Sequence, residues 1–431
     1  MFSKIKNDNR ILHLILNTWS NDSIGIYDYS SSSIKKLRAF IPESTYVVRT
    51  KGNIFQNIEQ HADIDTKNGD DLLFHVNNSN DDTFILINPI PKNLKLTQVN
   101  FDYLNNKIWY VLKTDKQENS EKKENDKECN EEYYLNVNDL IKVGRVKYAV
   151  QKLFIRSKDN NNNGAEPPGP VMEIKYNISD LNKNAPPVFD FVYEVKYFSD
   201  YVDISEKNKS IEEGKEKEKC KYCDNQLINN ETDDGENFLI SLCKCKELVH
   251  YKCLKNQLKL QMELKDESKL DQPVDTMTFK AYECSKCSSE YPVQFKFPNS
   301  NKIFNLIDIK EPQDCDYMIL ESIDYKQYDQ FYKSIHIIKF KQETITIGRE
   351  SDNNVIDRDI SISRHHALLI LQNEKICIRN LSKKFGTLVL VKKPIKILDK
   401  TIYLQVGRTY IEANLVNKEE YDKKTNQQKN E

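Results

Sequence analysis

Short segments in which apolar and polar residues alternate dominate this chain. Successive side chains of a β-strand point to opposite faces of the sheet, so a period of two residues predicts strands. The segments are rich in Ile, Val, Tyr and Leu. They cover residues 83–88, 107–113, 134–155, 334–348, 366–379, 387–391 and 401–416. We therefore predict a mainly β protein.

One segment has the spacing of a helix instead. In CLKNQLKLQMELKD (253–266), Leu254, Leu258 and Met262 recur every four residues and share one helical face. Four other segments carry mixed charge and almost no apolar residues, which is typical of loops or disordered linkers. They cover residues 113–133, 156–170, 205–219 and 417–431.

Two hairpin-like segments resemble each other. DLIKVGRVKYAVQ (139–151) and IYLQVGRTYIEAN (402–414) each contain a strand, a Gly-Arg corner and a second strand. The similarity is either chance between two hairpins or the sign of two copies of one β-sandwich. We favour the repeat, because each segment closes a β-rich stretch of similar length.

Eight potential metal ligands lie in four closely spaced pairs in the middle of the chain. Thiolate and imidazole groups at this spacing suit tetrahedral zinc. Eight ligands fill two tetrahedra and leave no position for water, so we predict two structural zinc ions, each stabilising the fold by on the order of 10 kcal/mol. The alternative, a set of buried or free cysteines, does not account for the paired spacings. The predicted ligands are Cys220, Cys223, Cys243, Cys245, His250, Cys253, Cys284 and Cys287.

This order of ligands resembles the RING-variant (RING-CH) family. The resemblance implies interleaved sites, with one ion on the first and third pairs (Cys220, Cys223, His250, Cys253) and a second ion on the other two pairs. It also implies ubiquitin ligation, which that family performs by docking a ubiquitin-conjugating enzyme. Two features depart from the family. Gln257 stands where a Trp usually shapes the docking groove, and the short gap between Cys245 and His250 looks more like a PHD finger, which binds peptide tails.

The stretch IGRESDNNVIDRDISISRHHALLIL (347–371) brings basic and hydroxyl side chains next to predicted strands. An Arg offers a phosphate dianion a permanently charged, planar set of donors, and a Ser hydroxyl offers a short directional one. Arg349 and Ser363 both lie at predicted strand ends, so loops can bring them together. Taken singly, Arg349 could cap a strand and Ser363 could open a turn. The ordered set with Gly386 and Thr387 favours a phosphate site.

Residues 316–417 resemble a forkhead-associated (FHA) domain. The matching residues are Gly348-Arg349, Ser363-Arg364-His365-His366-Ala367, Asn380-Leu381-Ser382 and Gly386-Thr387. The resemblance implies a β-sandwich that binds phosphothreonine peptides through loops at one end. The phosphopeptide-binding residues are then Arg349, Ser363, Arg364 and Lys384, while Gly348 and His366 hold the loop geometry. Phe385 stands where the family usually carries an Asn that binds the peptide backbone, so either the selectivity is changed or the affinity is low.

These observations predict three folded parts. A degenerate FHA-like β-sandwich, which lacks any Ser-x-x-His, covers residues 1–156 and is followed by a linker at 157–215. The small RING-variant zinc module, a cross-brace, covers residues 216–296. The FHA domain covers residues 316–417, and a disordered tail follows at 418–431.

Charge and composition restrict the classes of partner that we expect. The chain has 64 basic and 66 acidic residues and a net charge of −2, which gives no pull toward nucleic acid or an anionic membrane. No apolar segment is long enough to span a membrane, so we expect a cytoplasmic or nuclear protein. In such a reducing compartment, metal binding by cysteines is expected ahead of disulfides.

Two functions remain open. The first is a non-catalytic adaptor that binds phosphothreonine-containing proteins. The second is a ubiquitin ligase that recruits phosphorylated substrates through its FHA domain, with a ubiquitin-conjugating enzyme as partner. Gln257 favours the adaptor, and the combination of a reader with a RING-like module favours the ligase. The sequence holds no Ser-His-Asp set or paired acid site, so no catalytic residues are predicted.

Overall fold

The structure is a computed structural model of the chain. It describes residues 10–20, 23, 26–50, 55–58, 71–79, 83–87, 104, 107–113, 131–156, 193–194, 220–223, 238–243, 248–264, 272–280, 284, 286–287, 291, 294–296, 303–324, 326–327, 330–398 and 400–417. Strand residues greatly outnumber helical residues, which confirms the mainly β prediction. Among the described residues, no helix has the length and apolar character needed to cross a membrane.

The first half of the chain forms short, mostly antiparallel strands. In chain order they are β1 (Arg10–Thr18), β2 (Lys35–Ile41), β3 (Thr45–Arg49), β4 (Phe55–Ile58), β5 (Asp71–Ser79), β6 (Thr83–Ile87), β7 (Ile108–Leu112), β8 (Glu132–Tyr134), β9 (Leu140–Val143), β10 (Val146–Phe154) and β11 (Tyr193–Glu194).

The second half contains a single described helix, α1 (Tyr251–Gln261), among further strands. These are β12 (Leu239–Ile240), β13 (Val249–His250), β14 (Met262–Leu264), β15 (Val274–Lys280), β16 (Gln294–Lys296), β17 (Ile303–Asn305), β18 (Tyr317–Asp324), β19 (Lys326–Gln327), β20 (Gln330–Lys339), β21 (Thr344–Gly348), β22 (Val355–Ile356), β23 (Ala367–Gln372), β24 (Lys375–Asn380), β25 (Thr387–Leu390), β26 (Ile395–Lys396), β27 (Ile402–Val406) and β28 (Thr409–Asn417).

Two β-sandwiches share one long sheet, in the order β14-β15-β20-β18-β10-β9-β25-β7-β27-β28-β1-β2. A five-stranded sheet, β22-β21-β23-β24-β8, covers one half of it, and we call this pair of layers sandwich C. A second five-stranded sheet, β26-β6-β5-β3-β4, covers the other half, and we call this pair sandwich N. Apolar side chains from both layers of each sandwich form a separate core.

The two sandwiches exchange strands. Strands β8, β9 and β10 come from the first half of the chain, but they belong to sandwich C. There β10 runs antiparallel to β18, from Lys147 opposite Asp324 to Phe154 opposite Tyr317. Strands β26, β27 and β28 end the chain, but they belong to sandwich N, where β28 pairs with β1 along nine residues. Each sandwich is therefore completed by three strands from a distant part of the chain.

Because of this exchange, the predicted domain boundaries do not coincide with the sandwiches. Residues 1–156 and residues 316–417 are each predicted to form a separate domain, but each range contributes strands to both sandwiches. The core of sandwich C combines Ile141 and Tyr148 with Met318 and Leu369, all buried. The pattern of apolar residues defines which faces are buried, but β9–β10 and β27–β28 present similar faces, so it does not define which sandwich each hairpin joins.

The similar segments at 139–151 and 402–414 form these exchanged hairpins. Gly144 and Gly407 occupy the turns with φ of 64° and 54°, a left-handed conformation that side chains with a Cβ seldom adopt. Val143 pairs with Val146, and Val406 pairs with Thr409. The two hairpins thus hold the same place in opposite sandwiches, in agreement with the repeat interpretation.

The sandwiches meet where β25 pairs with β7, with Thr387 opposite Leu112 and Leu390 opposite Trp109. A core of aromatic and aliphatic side chains, including Trp19, Trp109 and Tyr410, fills this junction. The shared sheet and the junction core join the two sandwiches into one body.

The central segment docks on sandwich C. Helix α1 begins close to the predicted start, but it ends at Gln261 because Met262 enters strand β14 and pairs with Phe279 of β15. The predicted helix of residues 253–266 is therefore too long at its C-terminal end. Strand β15 in turn pairs with β20, from Val274 opposite Ile338 to Lys280 opposite Tyr332. The central segment thus extends the long sheet.

Candidate functional sites

The loop after β21 and the loop before β23 lie side by side at one end of sandwich C. The backbone N–H of Arg349 donates to the carbonyl of Ser363 at 3.0 Å, and that of Glu350 donates to the carbonyl of Arg364 at 3.3 Å. A Cβ on residue 348 would lie 2.1 Å from the Arg364 carbonyl oxygen, so only a glycine permits this approach. Arg349 and Ser363, distant in sequence, are therefore neighbours in the fold.

The loop between β24 and β25 (381–386) reaches the same place. The hydroxyls of Ser363 and Ser382 lie 2.6 Å apart, and the N–H of Phe385 donates to Ser382 Oγ at 3.0 Å. Asn380 supports this loop, because its Oδ1 accepts from the N–H of Ser382 and from the hydroxyl of Thr387. Ser382 is a landmark of the resemblance but not one of the predicted binding residues. Its position beside Ser363 adds it to the candidate residues of this site.

His366 links the loop that carries Ser363 to the loop 381–386. Its imidazole is fully buried, its Nδ1 accepts from the N–H of Ser363 at 3.0 Å, and its Nε2 lies 3.2 Å from the carbonyl oxygen of Gly386. Only the neutral tautomer with the proton on Nε2 makes both contacts. Burial lowers the pKa of His366 to about 4, so this tautomer persists at neutral pH.

Three basic residues lie on the loops that meet at the two hydroxyls. Arg349, Arg364 and Lys384 are exposed, while Ser363 is half-buried and Ser382 is buried. Arg364 Nε lies 3.7 Å from Glu350, and Lys384 Nζ lies 3.7 Å from Asp28. Hydroxyl donors combined with positively charged side chains are the groups that recognise a phosphate dianion.

The corresponding end of strand β3 in sandwich N is different. Arg49 ends this strand, is buried, and donates to Thr409 Oγ1 and to Asp71 Oδ2, both at 2.6 Å. The guanidinium of Arg49 is thus bonded inside the fold, where it contacts Thr409 at the start of the exchanged strand β28.

Two groups of sulfur and nitrogen ligands lie in the central segment. Cys220, Cys223, His250 and Cys253 place one ligand atom each within 4.8 Å of one another, and so do Cys243, Cys284 and Cys287. Cys245 lies outside the described residues. The first and third pairs therefore meet, and Cys243 of the second pair meets the fourth pair. This is the interleaved grouping that the RING-variant resemblance implies.

The first group has the chemistry of a zinc site. His250 Nδ1 lies 3.3 Å from Cys223 Sγ and 3.9 Å from Cys253 Sγ, and the N–H groups of Tyr222 and His250 point at Cys220 Sγ. Burial, together with the sulfurs of Cys220 and Cys223, raises the pKa of Cys253 to about 12. A cation would relieve this repulsion between thiolates, and three sulfurs with one imidazole suit tetrahedral zinc.

One family model matches the chain. The FHA domain model matches residues 345–409, which contain Arg349, Ser363, Arg364 and Lys384. The match begins in sandwich C and ends in strands of sandwich N, so it crosses the point of strand exchange. No curated protein matches the chain. No family match supports the RING-variant resemblance of the central segment.

Proposed function

We propose that this protein is an adaptor that binds phosphothreonine peptides at the loop end of sandwich C. FHA domains generally bind such peptides. The observation that carries the proposal is the meeting of three loops, in which the hydroxyls of Ser363 and Ser382 lie 2.6 Å apart beside Arg349. In this proposal, Arg349 pairs with the phosphate, Ser363 and Ser382 donate to it, and Arg364 and Lys384 flank the peptide.

Arg349→Ala tests the proposal in the whole chain. Loss of a charge-assisted hydrogen bond of about 1.5–3 kcal/mol should weaken phosphopeptide binding tenfold or more. The measurement is fluorescence anisotropy with a phosphothreonine peptide library and unphosphorylated counterparts. Arg38→Ala removes an exposed arginine of sandwich N and should bind as the parent does. Equal binding of phosphorylated and unphosphorylated peptides would contradict the proposal.

The central segment is proposed to hold two structural zinc ions. The supporting observation is the interleaved grouping of the described ligands, with Cys245 proposed as the fourth ligand of the second group. Metal analysis of the purified protein should give two zinc ions per chain. Cys220→Ser should lower this number, whereas Cys315→Ser, at a cysteine outside both groups, should keep it at two. Protein purified without chelator that contains no zinc would refute the zinc module.

The interleaved grouping also supports an alternative, a ubiquitin ligase that recruits phosphorylated substrates. Gln257 opposes it, because the resemblance places a groove-shaping Trp at that position. An autoubiquitination assay with a panel of conjugating enzymes separates the two functions. Chains that form with the parent but not with Cys220→Ser would favour the ligase over the adaptor.

A further inference from the structure

A segment of sandwich N supports the loop 381–386 of sandwich C. The N–H of Tyr29 donates to the carbonyl of Lys384 at 2.8 Å. A Cβ on residue 386 would lie 2.7 Å from the hydroxyl of Tyr29, so Gly386 allows the loop to rest against this side chain. The loop that carries Ser382 is therefore positioned by the first thirty residues of the chain.

The supporting segment is itself held in place. Trp19 Nε1 donates to the carbonyl of Asp28 at 2.9 Å, and the hydroxyl of Tyr29 donates to Gln405 at 2.7 Å. The N–H of Ser30 donates to Asp28 Oδ1 at 2.8 Å. These bonds fix both the backbone and the carboxylate of Asp28, which therefore presents its charge in one place.

That charge lies beside a basic residue of the candidate site. Asp28 Oδ2 is 3.7 Å from Lys384 Nζ, and the two side chains are 31% and 65% exposed. Both groups are accessible to a bound peptide. Lys384 stands two residues from Ser382, whose hydroxyl contacts that of Ser363. Asp28 thus adds a fixed negative charge at the Lys384 edge of the site, in addition to the carboxylate of Glu350 beside Arg364.

We propose that Asp28 is a specificity-determining residue of this site and selects peptides with basic residues next to the phosphothreonine. This inference rests on the proposed phosphopeptide binding. The carboxylate attracts a basic flanking residue and repels an acidic one. Its pairing with Lys384 also withholds that ammonium group from acidic peptide residues. Because the pair is exposed and screened, the expected effect is about two- to fivefold in affinity.

Three phosphothreonine peptides test the inference in the whole chain, with the phosphothreonine flanked on both sides by lysines, by alanines or by glutamates. The parent should prefer the lysine peptide. Asp28→Asn should bind the glutamate peptide about two- to fivefold more tightly and the lysine peptide more weakly. The dissociation constant of the glutamate peptide divided by that of the lysine peptide should therefore fall. Glu43→Gln removes an exposed acid elsewhere in sandwich N and should leave the ratio unchanged.

The outcomes separate the two proposals. An Asp28→Asn protein that still requires the phosphate but keeps the parent's ratio would overturn the role of Asp28 and leave phosphopeptide binding intact. Equal binding of the alanine peptide with and without its phosphate would overturn both. A ratio that changes as much in Glu43→Gln as in Asp28→Asn would show a general charge effect and would also overturn the role of Asp28.

Discussion

At the scale of single residues, His366 links stability to the candidate site. Its imidazole accepts from the N–H of Ser363 and donates to the carbonyl of Gly386, which ties the two hydroxyl-bearing loops together. A second proton on the ring would face the N–H of Ser363 and break the first bond. The fold therefore requires the neutral ring.

This requirement predicts a dependence on pH. The pKa of His366 is about 4 in the folded protein and about 6.5 when unfolded, so its contribution is complete above pH 6.5 and is lost as the pH falls toward 4. Between pH 7 and pH 5 the free energy of unfolding should drop by about 2 kcal/mol from this group. Urea denaturation at both values measures the change. His366→Asn should show a smaller drop, and an equal drop in both proteins would contradict the assignment.

The sequence was sufficient to identify several residues of the candidate site. Arg349, Ser363 and Gly386 stand in a recognisable order, and their chemistry alone suggests a phosphate site. Asp28 and Tyr29 could not be identified in this way, because their role depends on a contact with a loop at the opposite end of the chain. Nothing in the local pattern of residues 26–31 marks them as part of a site.

At the scale of elements, the hairpin β9–β10 braces the loop that carries Ser363. The N–H of Arg145 donates to Ser361 Oγ at 2.9 Å, and the guanidinium of Arg145 pairs with Asp359 at 2.8 Å. The hydroxyl of Tyr148 donates to Asp357 at 2.5 Å. An exchanged strand pair from the first half of the chain therefore supports the loop that carries Ser363.

A substitution at the hairpin turn tests this brace. Gly144→Ala would force a left-handed conformation, at about 1–2 kcal/mol, and would place a Cβ 2.4 Å from the carbonyl oxygen of Ser361. Gly407→Ala imposes the same strain at the equivalent turn of sandwich N. We expect both variants to unfold more easily but only Gly144→Ala to lose phosphopeptide affinity. Equal affinities for the two variants would argue against the brace.

The strands themselves were largely predictable, but their partners were not. KVGRVKY and QVGRTYI have similar apolar patterns and the same left-handed glycine, so the local pattern alone does not assign either hairpin to one sandwich. Which sandwich each hairpin joins depends on long-range contacts, such as the hydrogen bonds of Arg49 to Thr409 and of Arg145 to Asp359. Such bonds leave no periodic signal in the sequence.

At the scale of the whole molecule, the exchange makes the two sandwiches interdependent. Residues 316–417 alone lack β8, β9 and β10, and with them Ile141, Val143, Tyr148 and Val150 of the core. Each such side chain contributes about 1.5–3 kcal/mol on burial, and a typical domain has only about 5–15 kcal/mol of net stability.

The fragment 316–417 should therefore not fold alone. Coexpression of residues 1–156 and 316–417 as two chains should restore both sandwiches and yield a stable complex. Circular dichroism, thermal unfolding and phosphopeptide binding of the fragments, separately and together, provide the measurement. A monomeric 316–417 fragment with cooperative unfolding and the full chain's affinity would contradict the exchange of strands.

The strand exchange also constrains how the protein is made. Strands β9 and β10 leave the ribosome long before β18, β20 and β21–β25, with which they form sandwich C. At about 5–20 residues per second, they wait roughly 10–50 seconds for these partners. Sandwich N waits until β28, the last described strand, has been translated. The candidate metal ligands at 220–287 emerge within this interval, so the two ligand groups can assemble before either sandwich is complete.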